Sequence, residues 1–262
     1  MDSVITVQGL TMMFGGLRAL TEIDLHVDRG EIVALIGPNG AGKTTFFNCV
    51  TGIYHPSRGE VFLSPDGGKP QRIGGLPPHA ITAKGMARTF QNIRLFSNMT
   101  ALENIMVARH CRTRSGILGA ILRGKRIEAE EREAARFSYR LLEHFGLARY
   151  VNDSAGELPY GDQRRLEIAR AMATEPALLL LDEPAAGMNQ KETEHLNHLI
   201  RGIRDEMGIS ILLIEHDMRL VMSLSERIYV MDHGEMIAEG PPAVIAADPK
   251  VITAYLGGPF HA

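Results

Sequence analysis

Residues 37–44 read Gly-Pro-Asn-Gly-Ala-Gly-Lys-Thr and follow directly on the apolar run 32–36, Ile-Val-Ala-Leu-Ile. This pattern, G-x-x-x-x-G-K-[ST], predicts a loop between a strand and a helix whose backbone N–H groups surround phosphate groups. Glycine lets such a loop approach its ligand closely and adopt positive φ. The predicted phosphate contacts are Gly37, Pro38, Asn39, Gly40, Ala41, Gly42, Lys43, Thr44 and Thr45.

Two side chains at the end of this loop carry its predicted chemistry. Lys43 is expected to neutralise charge on the β- and γ-phosphates, and the Thr44 hydroxyl to take one position on Mg²⁺. The helix predicted to begin near Lys43 directs its unpaired N–H groups toward the same anion. A glycine-rich turn without a ligand is the alternative. The strand before the loop and the helix-compatible stretch 45–49 favour a nucleoside triphosphate.

The composition is that of an ordinary globular protein, and its charge balance does not favour a nucleic-acid partner. The 262 residues carry 28 Lys+Arg against 31 Asp+Glu, a net charge of −3, so no basic footprint for nucleic acid is expected. The pair Arg164-Arg165 is interpreted as a solvated helix face rather than a phosphate contact. The two cysteines, Cys49 and Cys111, are too few for a disulfide framework and favour a reducing compartment, with Cys49 buried.

Segments that insert into a membrane or direct secretion would lie in the apolar runs or among the first residues. No span of about 20 apolar residues occurs, so no bilayer crossing is predicted. The first residues, Met-Asp-Ser-Val, carry no basic or apolar segment typical of a signal peptide. If the protein works at a membrane, we expect a partner to hold it there.

Strand and helix patterns alternate along most of the chain and indicate an α/β fold with a parallel sheet. Residues 64–78 are rich in Pro and Gly and predict a surface loop, and His233-Gly234 predicts a hairpin turn. Between about 100 and 174 helical patterns dominate, beginning with a capping box from Thr100 to Glu103. We expect one domain over 1–262, with a core of about 1–90 and 171–262 and a helical subdomain of about 91–170.

A second chemical motif follows the apolar run 178–181. Asp182 and Glu183 come at the end of this predicted strand, the edge where open α/β sheets bind ligands. Asp182 suits Mg²⁺, directly or through water, and Glu183 suits the polarisation of an attacking water. An Asp-Glu pair at a strand end can also be a helix N-cap. The phosphate loop on the same chain favours catalysis.

Two further polar residues are expected near the phosphates. His216 lies just beyond the apolar run 211–214, so it is expected at the same sheet edge as Asp182, within reach of the γ-phosphate. Gln91 lies where the core gives way to the helical region, and its amide suits Mg²⁺ or water. A purely local hydrogen-bonding role is the alternative for His216.

These motifs, in this order, resemble those of the ATP-binding-cassette ATPases over nearly the whole chain. The resemblance implies a P-loop ATPase core with an N-terminal antiparallel β-subdomain and an inserted α-helical subdomain, binding ATP and Mg²⁺. It implies that two such domains enclose two ATP molecules, each phosphate loop facing the signature of the other domain. It also makes Phe14 the residue expected to stack on adenine, with a core phenylalanine as the alternative.

The family signature L-S-G-G-Q is matched here by residues 158–162, Leu-Pro-Tyr-Gly-Asp. Leu158 and Gly161 are retained and are expected to contact nucleotide. Pro159 removes a hydroxyl and an N–H from the signature. Asp162 is expected to turn away from phosphate and cap a helix that begins at Gln163. A second departure is Asn189, where the family usually has Asp.

Stretches 88–100, 158–170 and 182–189 look like those of ATP-binding subunits of bacterial branched-chain amino-acid importers. That resemblance implies a second ATP-binding subunit (a heterodimer, with a homodimer as the alternative), two transmembrane permease subunits and a periplasmic amino-acid-binding protein. It implies a peripheral location at the cytoplasmic face of the inner membrane, with no nucleic-acid partner. The permeases are expected to contact the apolar residues Ile93, Leu95, Phe96 and Met99. Anchoring of this loop to the core is the alternative.

Other functions remain open from the sequence. An importer of other amino acids or urea, or an exporter or lipid-extraction subunit, would use the same core chemistry. A repair or translation-control ATPase usually carries coiled-coil arms or two cassettes, which this chain lacks. A small-molecule kinase would leave the signature and His216 unexplained.

Overall fold

The computed structural model describes residues 3–112 and 125–256. Its strands are β1 (Ser3–Phe14), β2 (Leu17–Asp28), β3 (Ile32–Ile36), β4 (Arg58–Leu63), β5 (Gln71–Arg72), β6 (Met86–Arg88), β7 (Leu178–Asp182), β8 (Ser210–Ile214), β9 (Arg227–Asp232) and β10 (Glu235–Gly240). Its helices are α1 (Lys43–Val50), α2 (Pro78–Ala83), α3 (Ala101–Arg109), α4 (Lys125–His144), α5 (Tyr160–Met172), α6 (Gln190–Met207), α7 (Met218–Leu224), α8 (Pro242–Ala246) and α9 (Pro249–Leu256).

The chain divides into two compact units. The core unit comprises Met1–Gln91 with Ala177–Ala262, and the helical unit comprises Asn92–Pro176. The core unit holds both sheets, and the helical unit holds α3, α4 and α5.

The larger sheet of the core unit has six strands in the order β10-β9-β3-β8-β7-β6. All pairs are parallel except β10 with β9, which form the predicted hairpin around His233-Gly234. Every residue of β3, β7 and β8 is buried, as expected for continuous apolar strands covered on both faces. Because Leu35 and Asp182 both pair with Ile214, the carboxyl ends of β3, β7 and β8 meet at one edge.

The smaller sheet is antiparallel, with strand order β2-β1-β4-β5. Its edge strand β5 lies within the stretch 64–78, so the prediction of a surface loop there missed a short strand. Both residues of β5 are polar and exposed, so they lack the alternation that marks a half-buried strand. The α/β fold with an N-terminal antiparallel sheet is confirmed.

The helical unit begins as the sequence predicts. Thr100 caps α3: its side chain accepts from the Glu103 N–H, while the Glu103 carboxylate accepts from the Thr100 N–H. Within the described ranges, no helix is both long and apolar enough to cross a membrane.

Arg164 corrects one sequence interpretation. Its side chain is fully buried in α5 and pairs with Glu167 at 2.8 Å, so this arginine does not lie on a solvated face. Glu167 also accepts the Arg94 N–H at 3.1 Å. Burial raises the pKa of Glu167, and the charge of Arg164 opposes that shift. Amphipathic patterning missed this pair because both residues are charged and each compensates the other.

Both cysteines are free thiols. Cys49 is buried on α1, as predicted, and burial raises the pKa of its thiol to about 11. Such a thiol stays protonated near neutral pH and packs as a small apolar side chain.

Candidate active site

The phosphate loop, Gly37–Gly42, joins β3 to α1 at the carboxyl edge of the larger sheet. Gly42 is the N-cap of α1, with φ 103°, and no side chain caps the helix. The first N–H groups of α1 therefore keep their hydrogen-bonding capacity for an anion, and the helix dipole favours the same charge.

Gly37 is required by space as well as by conformation. Its φ is 151°, and an added Cβ would lie 2.1 Å from the Met231 carbonyl oxygen on β9. Only glycine allows the end of β3 to pass this close to its neighbouring strand. The loop is thus fixed against β9 at its first residue.

Lys43 lies inside the phosphate loop. Its Nζ donates to the carbonyl oxygens of Gly37 at 2.7 Å and Pro38 at 2.9 Å. Burial lowers the pKa of this ammonium, and the nearby negative charges of Glu183 and Asp182 oppose the shift. The next two residues lie in the first turn of α1, with Thr44 exposed and Thr45 half-buried.

Glu183 is the centre of a polar cluster beyond β7 and β8. Its Oε2 accepts from the Gln91 Nε2 at 2.7 Å and lies 3.6 Å from the His216 Nδ1. The side chain of His216 is 64% exposed and that of Glu183 21% exposed, so both are open to solvent. The structure thus brings together three residues that the sequence placed near the γ-phosphate.

The backbone of Glu183 is unusual for a residue with a side chain. Its φ is +47°, in the left-handed region, and its N–H donates to the Ile214 carbonyl oxygen at 2.9 Å. Holding a non-glycine residue in such a conformation costs about 1–3 kcal/mol. The bond to β8 helps to fix the chain in this conformation, directly after Asp182.

Glu215 was not singled out from the sequence, yet it organises two loops. It is 1% exposed, and its Oε1 accepts the Ala185 N–H at 2.8 Å while its Oε2 accepts the His216 N–H at 3.0 Å. The loop after β7 and the loop after β8 therefore share one buried carboxylate. The only signal in the sequence is an acidic residue directly after an apolar strand.

Asp182 ends β7 and is 4% exposed. Its Oδ2 accepts from the Arg88 Nη2 at 2.6 Å. Arg88 ends β6, which pairs with β7 in parallel. No sequence pattern connects these two residues.

Phe14 ends β1 and is 43% exposed, so it is not the core phenylalanine of the alternative interpretation. Its ring makes an edge-to-face contact with Tyr54 at 5.3 Å between centroids. The ring that is predicted to stack on adenine is therefore exposed and in contact with a second aromatic ring. Tyr54 was not anticipated.

The family model for ABC transporters matches residues 20–186, more than half of the sequence. The chain belongs to the ABC transporter family. A second model, for the branched-chain amino acid ATP-binding cassette transporter, matches residues 235–261. The predicted membership of the cassette ATPases is confirmed.

Two curated relatives match almost end to end. The protein BraF of Pseudomonas aeruginosa, a high-affinity branched-chain amino acid transport ATP-binding protein, is 50% identical over 254 residues, 97% of this chain and 98% of BraF. LivG of Escherichia coli, described in the same words, is 48% identical over the same length and coverage.

Solved cassettes share the fold. MJ1267 in its ADP conformation, an ATP-binding cassette of an ABC transporter, superimposes with a TM-score of 0.83 at 27% identity, covering 98% of this chain and all of that one. The dimeric bacterial cassette MJ0796 gives 0.75 at 25% identity, covering 91% and 98%.

The signature of this cassette lies in the helical unit and departs from the sequence prediction. The helix α5 begins at Tyr160 with Pro159 as its N-cap, so the expected start at Gln163 was wrong. Pro159 has ψ 147° and no N–H, which suits the residue before a first helical turn. Leu158 is buried, while Gly161 lies half-buried in that first turn.

Asp162 does not cap a helix. It is buried in the first turn of α5, where its carboxylate pairs with Arg165 and, at 3.4 Å, with Arg149. The Asp162 carboxylate is thus compensated by two arginines rather than by the backbone N–H groups of a helix N-terminus. Asn189 is a cap: it begins α6, and its side chain accepts from the Glu192 N–H.

Proposed function

We propose that this cassette hydrolyses ATP to drive the import of branched-chain amino acids. The observation that carries the chemistry is Glu183, which is bonded to Gln91 and adjacent to His216 at the sheet edge that also holds the phosphate loop. The cargo rests on the identity of 48–50% to BraF and LivG over 97% of this chain.

In the proposed reaction, the phosphate loop and the first turn of α1 bind the ATP phosphates, and Phe14 stacks on adenine. Lys43 neutralises phosphate charge from its position between the Gly37 and Pro38 carbonyls. Glu183 orients and polarises water for attack on the γ-phosphate, with His216 beside it. Leu158 and Gly161 contact the nucleotide of the second ATP-binding subunit.

A Mg²⁺ site formed by Thr44, Gln91 and Asp182 fits the chemistry of these residues. Hydroxyl, amide and carboxylate oxygens are the ligand types that Mg²⁺ prefers, and the ion usually keeps several waters as well as substrate phosphates. No cluster of three His, Cys, Asp or Glu that would replace this mixed set occurs among residues 3–112 and 125–256. When bound, Mg²⁺ supplies charge neutralisation at the phosphates.

The proposed assembly is a second ATP-binding subunit, two permease subunits and a periplasmic binding protein, at the cytoplasmic face of a bacterial inner membrane. A heterodimer is proposed for the two ATP-binding subunits, with a homodimer as the alternative. The dimeric cassette MJ0796 supports pairing of such domains.

The proposed permease contact lies in the helical unit. Phe96 is 47% exposed and Met99 36% exposed, so neither side chain is an anchor in a core. Asn104 is fully buried, and its amide accepts the Phe96 N–H at 2.9 Å and donates to the Phe96 and Met99 carbonyls. A backbone held by these hydrogen bonds thus carries two exposed apolar side chains that suit a partner.

Replacing Phe96 with glutamate is expected to abolish assembly with the permease subunits while ATP binding by the isolated chain stays unchanged. The reason is a charge buried in an apolar contact. Co-purification from membranes and nucleotide titration measure the two properties. Val244→Glu, at an exposed apolar residue of the core unit, is the matched control. Loss of ATP binding in the Phe96 variant would favour a structural role instead.

The cargo is tested by uptake of labelled leucine in native cells whose only copy of this chain carries Glu183→Gln. Leucine uptake is expected to fall to background, with the protein still present in membranes. Glu206→Gln, at an exposed residue of α6, is the control and should leave uptake unchanged.

Unimpaired leucine, isoleucine and valine uptake would contradict the proposed cargo without touching the ATPase. Loss of urea uptake or of uptake of another amino acid would then identify the alternative importer. A defect in export only would assign the cassette to the exporter class.

A further inference from the structure

One arginine of the core unit lies outside the motifs so far used. Arg88, at the end of β6, has a side chain that is 6% exposed, and its guanidinium group contacts two other elements. The Nη2 donates to the Asp182 Oδ2 on β7 at 2.6 Å. The Nη1 donates to the Asn48 Oδ1 at 2.8 Å and to the Thr51 Oγ1 at 3.2 Å, both at the C-terminal end of α1.

The plane of this guanidinium is also fixed. Its central carbon lies 5.3 Å from the Phe47 ring centroid and 5.0 Å from the Phe90 ring centroid. Because the group is a rigid planar fork, the direction of Nη2 is set once Nη1 and the plane are held. Asp182 is therefore positioned relative to α1 by a side chain that is itself constrained from several directions.

This connection links the residues assigned to Mg²⁺. The helix α1 carries Thr44 in its first turn and Asn48 and Thr51 at its other end. Arg88 engages only the Oδ2 atom of the Asp182 carboxylate. Gln91 follows Arg88 by only three residues. One guanidinium thus connects Asp182 to the helix that carries Thr44, and it lies close in the chain to Gln91.

We propose that Arg88 is the positioning residue of the Mg²⁺ site, holding the Asp182 carboxylate in register with α1, which carries Thr44, so that both residues could hold the ion. This inference rests on the proposed function, because it assumes that Asp182 serves Mg²⁺. Arg88 would not be a ligand of the ion. Residues that hydrogen-bond to metal ligands commonly orient those ligands in this way.

The test compares nucleotide affinity with and without the ion. The dissociation constant of the β,γ-imido analogue of ATP is measured for the full-length chain in excess Mg²⁺ and in EDTA. The ratio of the two constants gives the affinity gained through Mg²⁺. No turnover is needed, so a catalytic defect does not disturb the measurement.

Arg88→Lys is the first variant, because it keeps a positive charge beside buried Asp182 but cannot span Asn48 and Asp182 together. We expect it to reduce the Mg²⁺-dependent gain by on the order of 10-fold, with the affinity in EDTA changed less than about 2-fold. Should this variant fail to fold, Asn48→Ala removes one support of Nη1 and keeps the ion pair. It should reduce the gain in the same direction by a smaller factor.

Arg227→Lys is the matched control. Arg227 is 16% exposed and pairs with Glu31 at 2.6 Å. It begins β9 beside Val33, at the amino-terminal ends of the parallel strands, whereas the candidate site lies at their carboxyl ends. It should lower the melting temperature and leave the Mg²⁺-dependent gain unchanged.

If the Arg88 variant changes both affinities by the same factor, the ratio of the two constants stays that of the unsubstituted chain. Arg88 would then have only a structural role, and the inference would be overturned. A larger gain would also overturn it, since Arg88 would then compete with the ion. If the unsubstituted chain itself shows no gain from Mg²⁺, the proposed Mg²⁺ site fails, and this inference fails with it.

Discussion

Replacing Glu183 with glutamine is expected to lower the rate of ATP hydrolysis by about 10²–10⁴-fold, the usual contribution of a positioned acid–base group. Glutamine keeps the shape of the side chain and an oxygen for the Gln91 amide, 2.7 Å away in the present structure. It cannot take up a proton from the attacking water. Phosphate release by the purified full-length chain measures the rate, and nucleotide titration should show unchanged ATP affinity.

The matched control for this change is again Glu206→Gln, which alters the same functional group on the exposed surface of α6. A Glu183 variant that hydrolyses ATP at the original rate would place the water-polarising group elsewhere. His216, whose Nδ1 lies 3.6 Å from Glu183, would then be the next candidate. A loss of ATP binding would instead indicate that position 183 supports the fold of the site.

Replacing Lys43 with alanine is expected to weaken ATP binding by about 10–100-fold. The ammonium group lies at the centre of the phosphate loop, and one hydrogen bond to a charged group contributes about 1.5–3 kcal/mol, which corresponds to this range of affinity. Fluorescence titration with a labelled ATP analogue measures the change.

Lys84→Ala is the control, because Lys84 is a lysine of the same core unit whose ammonium bonds an exposed Gln71 side chain at 2.7 Å. It should bind ATP as the unsubstituted chain does. Equal affinities for the Lys43 and Lys84 variants would contradict the assignment of the phosphate loop. The melting temperature of each variant separates lost contacts with ligand from lost structure.

Much of the fold could be predicted from local sequence patterns. The apolar runs 32–36, 178–181 and 211–214 correspond to β3, β7 and β8, because a strand buried on both faces is apolar over most of its length. The capping box at Thr100 and the turn at His233-Gly234 were also readable, since each depends on residues within a few positions of one another.

Side-chain pairs between residues far apart in the sequence could not be predicted in the same way. Arg88 and Asp182 are separated by 94 positions, so neither residue reveals its partner in the sequence. The start of α5 was misplaced because Asp162 resembles a helix cap, whereas in three dimensions its carboxylate pairs with Arg149 and Arg165. Arg164 was misjudged for a related reason: a buried charge is tolerated when its partner lies one helical turn away.

The backbone of Glu183 has a consequence for how this cassette can change. At φ +47° a glycine would adopt the same conformation without steric cost, so selection for stability alone would favour glycine after Asp182. The chain instead keeps a charged side chain in an unfavourable backbone conformation, at a position where that side chain meets Gln91 and His216. Variants selected only for thermal stability are therefore expected to replace Glu183 with glycine. Such variants would be more stable but would hydrolyse ATP more slowly.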